Sequence, residues 1–190
     1  MRDVPDDELI RRHLTGDRAA FGALVERHQT RVYNLAYRML GRPEDAADAT
    51  QDAFVTAMRK LEGFRGASSF TTWLHRVTVN TCYDALRKRQ REIPVEEEEQ
   101  TDSPAPGDVA EESATAVDVQ RALLEVPEEF RAVLIMHDVQ GLPYEAIAEA
   151  LGAPIGTVKS RLHRGRVSLA RALRGEQRAG SRASKQRGAL

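Results

Sequence analysis

Apolar side chains recur every three or four residues along nearly the whole chain, and this spacing predicts helices rather than strands. The clearest case is residues 17–40, where Leu24 and Leu35 belong to one apolar face. Asp17 stands before this pattern as an N-cap residue, and Gly41 follows it at the position where helices often end. No segment alternates apolar and polar residues between turn residues, as a half-buried strand would. The pattern therefore predicts an all-α fold.

The same spacing predicts two more helices in the N-terminal half, which together form a three- or four-helix bundle, and four short helices in the C-terminal half. Residues 63–70 hold two glycines and two serines and predict a loop. A tight Gly152-Ala153 turn separates the last two helices, and a short helix, a turn and a longer basic helix are typical of a helix-turn-helix. The expected helices are 43–62, 71–91, 117–126, 128–139, 143–151 and 154–173.

The net charge of −1 conceals an uneven distribution of charge along the chain. Residues 93–118 contain nine acidic and no basic side chains, whereas the blocks on either side are mildly basic. Three prolines in the same stretch also disfavour a packed core, so we expect a flexible linker that is either a solvated spacer or a segment that threads along a partner. The expected organisation is a first domain over 1–92, an acidic linker over 93–116, a helix-turn-helix domain over 117–175 and a disordered basic tail over 176–190.

The sequence holds no recognisable enzyme motif. Its one cysteine, Cys82, excludes a disulfide framework and predicts a small core residue. The five histidines form no metal-binding motif, and no glycine-rich phosphate loop occurs. No apolar run approaches the roughly 20 residues that a membrane-spanning helix needs, and the N-terminus lacks a signal-peptide pattern. We therefore expect no catalytic or metal site, no cofactor, no small-molecule substrate and no direct membrane insertion, in a reduced cytoplasmic setting.

The last helix is apolar on one side and cationic on the other. Lys159, Ser160, His163 and Arg164 stand opposite the apolar residues, which we expect to include Ile155. Lysine and arginine bind guanine edges in the major groove and neutralise phosphates, so this face indicates duplex DNA binding. A solvated surface helix is the alternative, and the helix-turn-helix context favours DNA.

The helix at 71–91 combines aromatic, amide, hydroxyl and cationic side chains. Trp73, Asn80 and the basic end of this helix, preceded by a loop of small residues, are suited to unpaired nucleic acid and to a base extruded from its stack. The alternative is that Trp73 is a core residue and that the basic end complements the helix dipole.

The helix at 43–62 has an acidic stripe. Asp45, Asp48 and Asp52 lie close together with Gln51, and this face is too acidic for DNA. The stripe is either a solvated face or a surface that docks on a basic partner.

Two long segments resemble a known family. Residues DAADATQDAFVTAMRKLEGFRG and SFTTWLHRVTVNTCYDALRKR resemble the second conserved region of extracytoplasmic-function (ECF) sigma factors of the sigma-70 family. Residues LPYEAIAEALGAPIGTVKSRLHRGR resemble the fourth conserved region, and the match covers about 6–92 and 117–174. The resemblance implies a subunit that binds core RNA polymerase and directs it to promoters by melting the −10 element and recognising the −35 element.

The resemblance also implies roles for individual residues. Three residues of the acidic stripe match the helix that docks on the largest polymerase subunit: Asp48, Gln51 and Asp52. The loop from residue 64 to 70 matches the loop that captures a flipped base. The residues expected at the −10 element are Phe64, Arg65, Ser68, Ser69, Phe70, Arg76, Asn80, Arg87 and Lys88. The residues expected at the −35 element are Thr157, Lys159, Ser160, His163 and Arg164.

Core RNA polymerase, promoter DNA and an anti-sigma factor are the partners that the resemblance implies. His137 stands where some relatives have an arginine that touches the DNA backbone. Two other classes remain as alternatives. A stand-alone helix-turn-helix regulator would resemble residues 142–174 only and would bind duplex DNA without polymerase. An enzyme would need a set of catalytic or metal-binding residues, and the sequence shows no such motif.

Overall fold

The computed structural model describes residues 4–66, 68–92 and 114–187, and these ranges contain helices and no strand. A first lobe holds α1 to α4 and a second lobe holds α5 to α8, so the all-α prediction is confirmed. The helices are α1 (Asp6–Leu14), α2 (Arg18–Leu40), α3 (Pro43–Lys60), α4 (Phe70–Glu92), α5 (Ala114–Leu124), α6 (Glu128–Leu134), α7 (Tyr144–Leu151) and α8 (Ile155–Arg187).

The ends of α2 and α3 follow the local signals of the sequence. The carboxylate of Asp17 accepts a hydrogen bond from the backbone N–H of Ala19 at 3.0 Å and caps α2. Gly41 ends α2 with φ of +83°, a left-handed conformation that glycine adopts without a Cβ clash. Pro43 then begins α3, where its missing N–H leaves no helical hydrogen bond unmade.

The first lobe has its own apolar core, built from all four of its helices. Leu9 of α1, Leu24 of α2, Phe54 of α3 and Leu74 of α4 are buried in it. A 3₁₀ turn over Leu61–Gly63 follows α3. Leu61 is buried in the same core, at the start of the loop that leads to α4. The loop is thereby fixed at the end of the bundle.

The second lobe contains the expected helix-turn-helix. α7 ends at Gly152, whose φ is +59°, and α8 begins three residues later. Val158 and Leu162 face the core, whereas Ile155 is 40 % exposed, contrary to the expectation that it is buried. Ile155 is the first residue of α8 and lies ahead of the turn that packs against α7. Between α6 and α7 the chain widens into a π-helical turn, Ile135–Val139.

The two lobes pack together through a shared apolar cluster. Leu35 and Met39 of α2 lie in the same cluster as Leu134 of α6 and Ile147 of α7. Leu124 of α5 sits so close to Gly41 that a Cβ at position 41 would collide with its side chain. The sequence predicts a first domain over 1–92 and a second over 117–175. Within the described ranges, residues from both of these parts lie in one apolar core.

A buried arginine joins the lobes. Arg131 of α6 is 6 % exposed, and its guanidinium donates hydrogen bonds to the carbonyls of Met39 at 2.5 Å, Leu124 at 2.6 Å and Val126 at 2.9 Å. Met39 lies in the last turn of α2, where carbonyls lack helical partners and the helix dipole favours a cation. Gln120 adds a hydrogen bond to the carbonyl of Tyr37 at 3.0 Å.

The chain ends differ from the expected domain map. The expected linker falls outside the described residues up to position 113, and α5 begins at Ala114 rather than at 117. The tail was expected to be disordered from 176, but the backbone of α8 continues as a helix to Arg187. Alanine, arginine, lysine, glutamine and glutamate make up most of this stretch, and their helix propensities explain the continuation.

Candidate nucleic-acid interfaces

The face of α8 that the sequence assigns to duplex DNA is open to solvent. Lys159, Ser160, His163 and Arg164 are all exposed, and Thr157 is half-buried at the start of the helix. The hydroxyl of Ser160 donates to the carbonyl of Thr157 at 3.1 Å, which holds this side chain near the first turn. The structure thus brings all five expected −35 residues together on the second helix of the helix-turn-helix.

Aromatic rings lie beside two of these cations. The ammonium of Lys159 lies 5.5 Å from the ring centroid of Tyr144, and the guanidinium of Arg164 lies 6.0 Å from that of Phe130. α8 also passes close to α6 at Gly165, where a Cβ would lie 3.1 Å from the carbonyl oxygen of Phe130. The helix that bears the cations is therefore held by α6 and α7, and the cations themselves remain at the surface.

The π-helical turn adds a polar cluster that the sequence analysis missed. Asp138 accepts hydrogen bonds from Arg166 at 3.0 and 2.5 Å and lies 2.8 Å from Nδ1 of His137. The hydrogen bond from Arg166 is the main cause of the lowered pKa of Asp138. The His137 ring stacks on Tyr144 with centroids 4.9 Å apart, so the turn places His137 next to the Lys159 site. Periodicity does not reveal such a turn, because it inserts one residue into an otherwise helical pattern.

The loop before α4 is organised around three aromatic rings. Phe64 lies 6.0 Å from Phe70 and 5.4 Å from Trp73, and Phe70 lies 5.7 Å from Trp73, measured between ring centroids. Phe70 is only 2 % exposed and packs in the core, while Phe64 and Trp73 are half-buried. As placed, Phe70 supports the loop from below and offers no surface to a base.

Serine 69 also has a structural role. Its hydroxyl accepts a hydrogen bond from the backbone N–H of Thr72 at 3.1 Å and lies 2.9 Å from the Thr72 hydroxyl, so it caps α4. Gly66, with φ of +67°, turns the loop in a conformation that favours glycine. The Ser-Phe-Thr-Thr sequence contains this capping signal, with Ser69 at the N-cap and Thr72 three residues later.

The remaining −10 residues divide into an exposed group and a paired group. Arg65, Arg76 and Asn80 are exposed, and the last two are one turn apart on the same face of α4. Ser68 is half-buried in the loop. Arg87 is exposed and pairs with Asp84 on its own helix, and the exposed Lys88 lines a cleft with the acidic stripe.

The acidic stripe borders that cleft, which has a volume of about 550 Å³ and lies between α3 and the end of α4. Asp48 and Asp52 are exposed on its α3 side. Gln51 points to the neighbouring side of α3, where it lines an apolar groove of about 600 Å³ with Phe54 and Met58. The three expected polymerase-binding residues are therefore exposed together along α3, with carboxylates on one flank and an apolar groove on the other.

Burial keeps two titratable side chains of the first lobe, His75 and Cys82, in their neutral forms. Burial lowers the pKa of His75 to about 4, and the Nδ1 atom of this ring has no hydrogen-bond partner. Burial raises the pKa of the Cys82 thiol to about 12, which leaves it a protonated core side chain. Across residues 4–66, 68–92 and 114–187, no three histidine, cysteine or carboxylate side chains are grouped as metal ligands, and no helix is long and apolar enough to cross a membrane.

Comparison with known families matches both lobes. Residues 24–92 match the Sigma-70 region 2 family, and residues 116–169 match the Sigma-70, region 4 family. The first match contains α3, α4 and the loop between them, and the second contains the helix-turn-helix. The two assignments that the sequence motifs suggested are thus found in the same order along the chain.

Individual relatives agree with these matches. The chain is 42 % identical over 170 residues to the ECF RNA polymerase sigma factor SigM of Mycobacterium tuberculosis. This match covers 88 % of this chain and 84 % of SigM. It is 40 % identical over 169 residues to SigE of Mycolicibacterium smegmatis, covering 82 % of this chain and 63 % of that longer protein.

A solved structure shows the same fold. The sigma factor RpoE of Bartonella quintana, crystallised with the anti-sigma factor NepR, matches with a TM-score of 0.68 and 27 % identity over 81 % of this chain and 96 % of that one. The family matches, the relatives and the structural likeness agree with one another. The chain therefore belongs to the ECF sigma factors of the sigma-70 family, which direct RNA polymerase in promoter-specific transcription.

Proposed function

We propose that the first lobe opens and reads the −10 element while the second lobe reads the −35 element, both on core RNA polymerase. The observation that supports this most directly is the face of α8, where Lys159, Ser160, His163 and Arg164 are exposed together after the turn of a helix-turn-helix. This geometry presents donors to base edges in a major groove, and the exposed Arg171 and Arg174 further along the helix can approach phosphates.

In the second lobe, Lys159 and Arg164 bind base edges or the phosphates next to them. Each lies beside an aromatic ring of a supporting helix, which limits the positions that its long side chain can occupy before DNA binds. His163 and Ser160 complete the face between them, and Thr157 lies nearest the turn. Arg166 is held by Asp138 and keeps the π-helical turn against α8 rather than contacting bases.

In the first lobe, the loop and α4 both contact the −10 element, and their residues have different roles there. Arg65, Arg76 and Asn80 are exposed and provide the polar contacts to an unpaired strand, because amide and guanidinium groups can bind base edges that are free of their partners. Phe64 and Ser68 line the place where a flipped base is held, and Phe70 and Ser69 fix the loop that forms it. Arg87 and Lys88 bind backbone phosphates at the end of the helix.

The polymerase contact uses Asp48, Gln51 and Asp52 on α3. The carboxylates are exposed and suited to a basic surface, and the apolar groove beside Gln51 offers area that water leaves on binding. We infer that polymerase supplies the separation between the lobes, so that two weak DNA contacts act at high effective concentration. An anti-sigma factor is a further partner in this proposal, supported by the anti-sigma complex of the similar RpoE structure.

The proposal assigns binding roles only. It includes no catalytic residue, no cofactor and no small-molecule substrate, and it places the protein in the cytoplasm, where bacterial polymerase transcribes. A stand-alone regulator would instead bind a duplex operator through α8 without polymerase.

The test is in vitro transcription by core polymerase plus the full chain on genomic fragments, with sequencing of the transcript starts. We expect starts downstream of one shared pair of sequence elements, and no such starts without the chain. Reversing charge in D48K/D52K removes both polymerase association and these starts, because the carboxylates then repel the basic partner surface.

The matched control is E26K/E62K, which reverses two other exposed carboxylates of the first lobe. It should retain association in the same pull-down, and both variants should melt at the temperature of the parent protein. Starts that do not change when the chain is added would refute the proposal, and duplex binding that needs no polymerase would favour the stand-alone regulator.

A further inference from the structure

One face of α2 bears basic residues that none of the proposed promoter or polymerase contacts use. Arg27, Arg31, Asn34 and Arg38 follow one another at steps of four, three and four residues, which places them along a single line of the helix. Arg27, Arg31 and Asn34 are exposed, and Arg38 is half-buried. The opposite side of α2 is buried in the core, and this line is part of the surface that α2 offers to solvent, which also includes Glu26 and Gln29.

The line borders a cavity of about 650 Å³ between the two lobes, which we call the arginine cleft. Its walls contain no carboxylate and no phenylalanine, tyrosine or tryptophan ring. Gln140 from the end of the π-helical turn closes one side, with its amide 3.5 Å from the carbonyl of Arg31. The lining residues are Arg27, His28, Thr30, Arg31, Asn34, Arg38, Val139 and Gln140. Guanidinium, amide and hydroxyl groups all point to an anionic oxygen ligand.

The positive charge of the cleft is neutralised at one end only. Asp6 of α1 contacts Arg27 at 2.5 Å and His28 at 2.9 Å. Within the described ranges, Arg31 and Arg38 form no ion pair, whereas Arg27 at the other end of the cleft is paired with Asp6. The uncompensated charge of the cleft therefore lies at Arg31 and Arg38.

Two neighbouring histidines respond to this charge. The pKa values of His28 and His75 are lowered mainly by burial. Asp6 opposes this effect at His28, and the positive charge of Arg31 lowers both pKa values further. An additional cation is thus disfavoured near Arg31, which is the condition under which an anion is favoured.

We propose that the arginine cleft is a phosphate-binding site, in which Arg31 and Arg38 bind two phosphate groups and Asn34 donates between them. Seven residues of helix separate the two arginines, which corresponds to about 10.5 Å along the axis. This distance suits two phosphates of one polyanion better than a single ion. The lining has no phenylalanine, tyrosine or tryptophan, and its one imidazole, of His28, is buried beside Asp6, so phosphates are bound and bases are not stacked. The source is either a nucleic-acid backbone or a free polyphosphate, and the site does not depend on the promoter contacts proposed above.

The first arm of the test measures binding of a fluorescent oligothymidylate, which lacks promoter bases, to the full chain at several salt concentrations. In R31Q/R38Q, two phosphate contacts are lost, so the slope of log K against log salt should be smaller by about 1.4. The parent protein should then lose about 7-fold more affinity than the variant between about 50 and 200 mM salt. The control R18Q/R121Q removes the same charge from exposed positions outside the cleft and should keep the parental slope.

The second arm titrates inorganic tripolyphosphate into the same proteins by calorimetry. Saturable binding to the parent and the control but not to R31Q/R38Q would identify a free polyphosphate as the source, and a change confined to oligothymidylate would identify nucleic acid. R31K/R38K retains the charge and should restore binding even if the glutamine variant is less stable. If R31Q/R38Q and R18Q/R121Q behave alike in both arms, the proposal is wrong. Because neither arm contains polymerase or promoter DNA, this result leaves the proposed transcription function to its own test.

Discussion

The two surfaces proposed to read DNA are built in different ways. On α8, the side chains that face DNA are exposed, and the side chains that hold the helix, such as Val158 and Leu162, are buried on its other side. In the loop before α4, supporting and contacting groups alternate within seven residues, and Phe70 and Ser69 hold what Phe64 and Arg65 present. On the helix α8, the residues that contact DNA and the residues that stabilise the fold lie on opposite sides. In the loop, residues with these two roles are neighbours in sequence and in space.

This difference predicts where mutations act on fold and function together. A substitution on the exposed face of α8 should change DNA binding and leave stability unchanged. A substitution in the loop should change both, because three aromatic rings within 6.0 Å of one another hold its shape.

Phe70→Ala should destabilise the protein by about 3–5 kcal/mol, because it removes a buried ring and leaves a cavity beside Trp73. Lys159→Ala, on the exposed face of α8, should change stability by less than about 0.5 kcal/mol. Denaturant unfolding followed by circular dichroism measures both. If Phe70→Ala unfolds at the parental denaturant concentration, the loop does not depend on its aromatic support and the contrast fails.

Acid should weaken the first lobe through His75, whose ring is 2 % exposed. The pKa of His75 is about 4 in the folded protein, whereas its ordinary value is 6.5. Between pH 4 and pH 6.5, His75 is therefore protonated in the unfolded chain and neutral in the folded protein. The contribution of His75 to stability should therefore fall as pH decreases from about 6.5 to about 4, by on the order of 3 kcal/mol, and should not change further below this range.

The matched variants are His75→Leu and His163→Ala. An apolar side chain suits position 75 because the Nδ1 atom there has no partner, and this variant should flatten the pH dependence measured by thermal unfolding. His163 is exposed on α8, and its removal should leave the parental curve unchanged. A curve that stays steep in His75→Leu would assign the acid sensitivity to another group.

Lys159→Ala and Arg164→Ala should each weaken binding to a −35 duplex by about 1–3 kcal/mol if they contact bases. Electrophoretic mobility shifts with holoenzyme on matched and scrambled −35 sequences measure the difference. Loss on the matched sequence alone indicates base contacts, whereas equal loss on both indicates phosphate contacts. Unchanged binding on both sequences would remove these residues from the recognition face.

Local signals in the sequence were sufficient for most of the helical framework. Asp17, Gly41, Pro43 and Gly152 determine helix ends through their own backbone preferences, so the ends they predict agree with the structure to within a residue or two. The exposure of the α8 face also follows from helical periodicity. Because charged residues lie on one side of α8 and apolar residues on the other, the helix packs with its apolar side against the core and its charged side toward solvent.

Features that depend on distant partners were not predictable in this way. Arg131 is separated by 92 residues from Met39, whose carbonyl it binds, and nothing in its local sequence distinguishes it from a surface arginine. Phe70 was placed among DNA contacts because its loop matches a family motif, and a motif does not tell which ring points inward. The charged and small residues of 176–187 predict disorder by composition, yet their helix propensities allow the helix that continues to Arg187.

The hydrogen bonds of Arg131 have a consequence for any change in spacing between the lobes. Moving the lobes apart removes the Met39 carbonyl from the guanidinium, which keeps its acceptors on Leu124 and Val126. It also uncovers Leu134 and Ile147, which lie in the apolar cluster that the two lobes share. Water can solvate the guanidinium, but it does not replace the lost apolar contacts. A larger assembly that covers these newly wetted patches would therefore recover part of the separation energy, so that extension of the molecule and its incorporation into that assembly are thermodynamically linked.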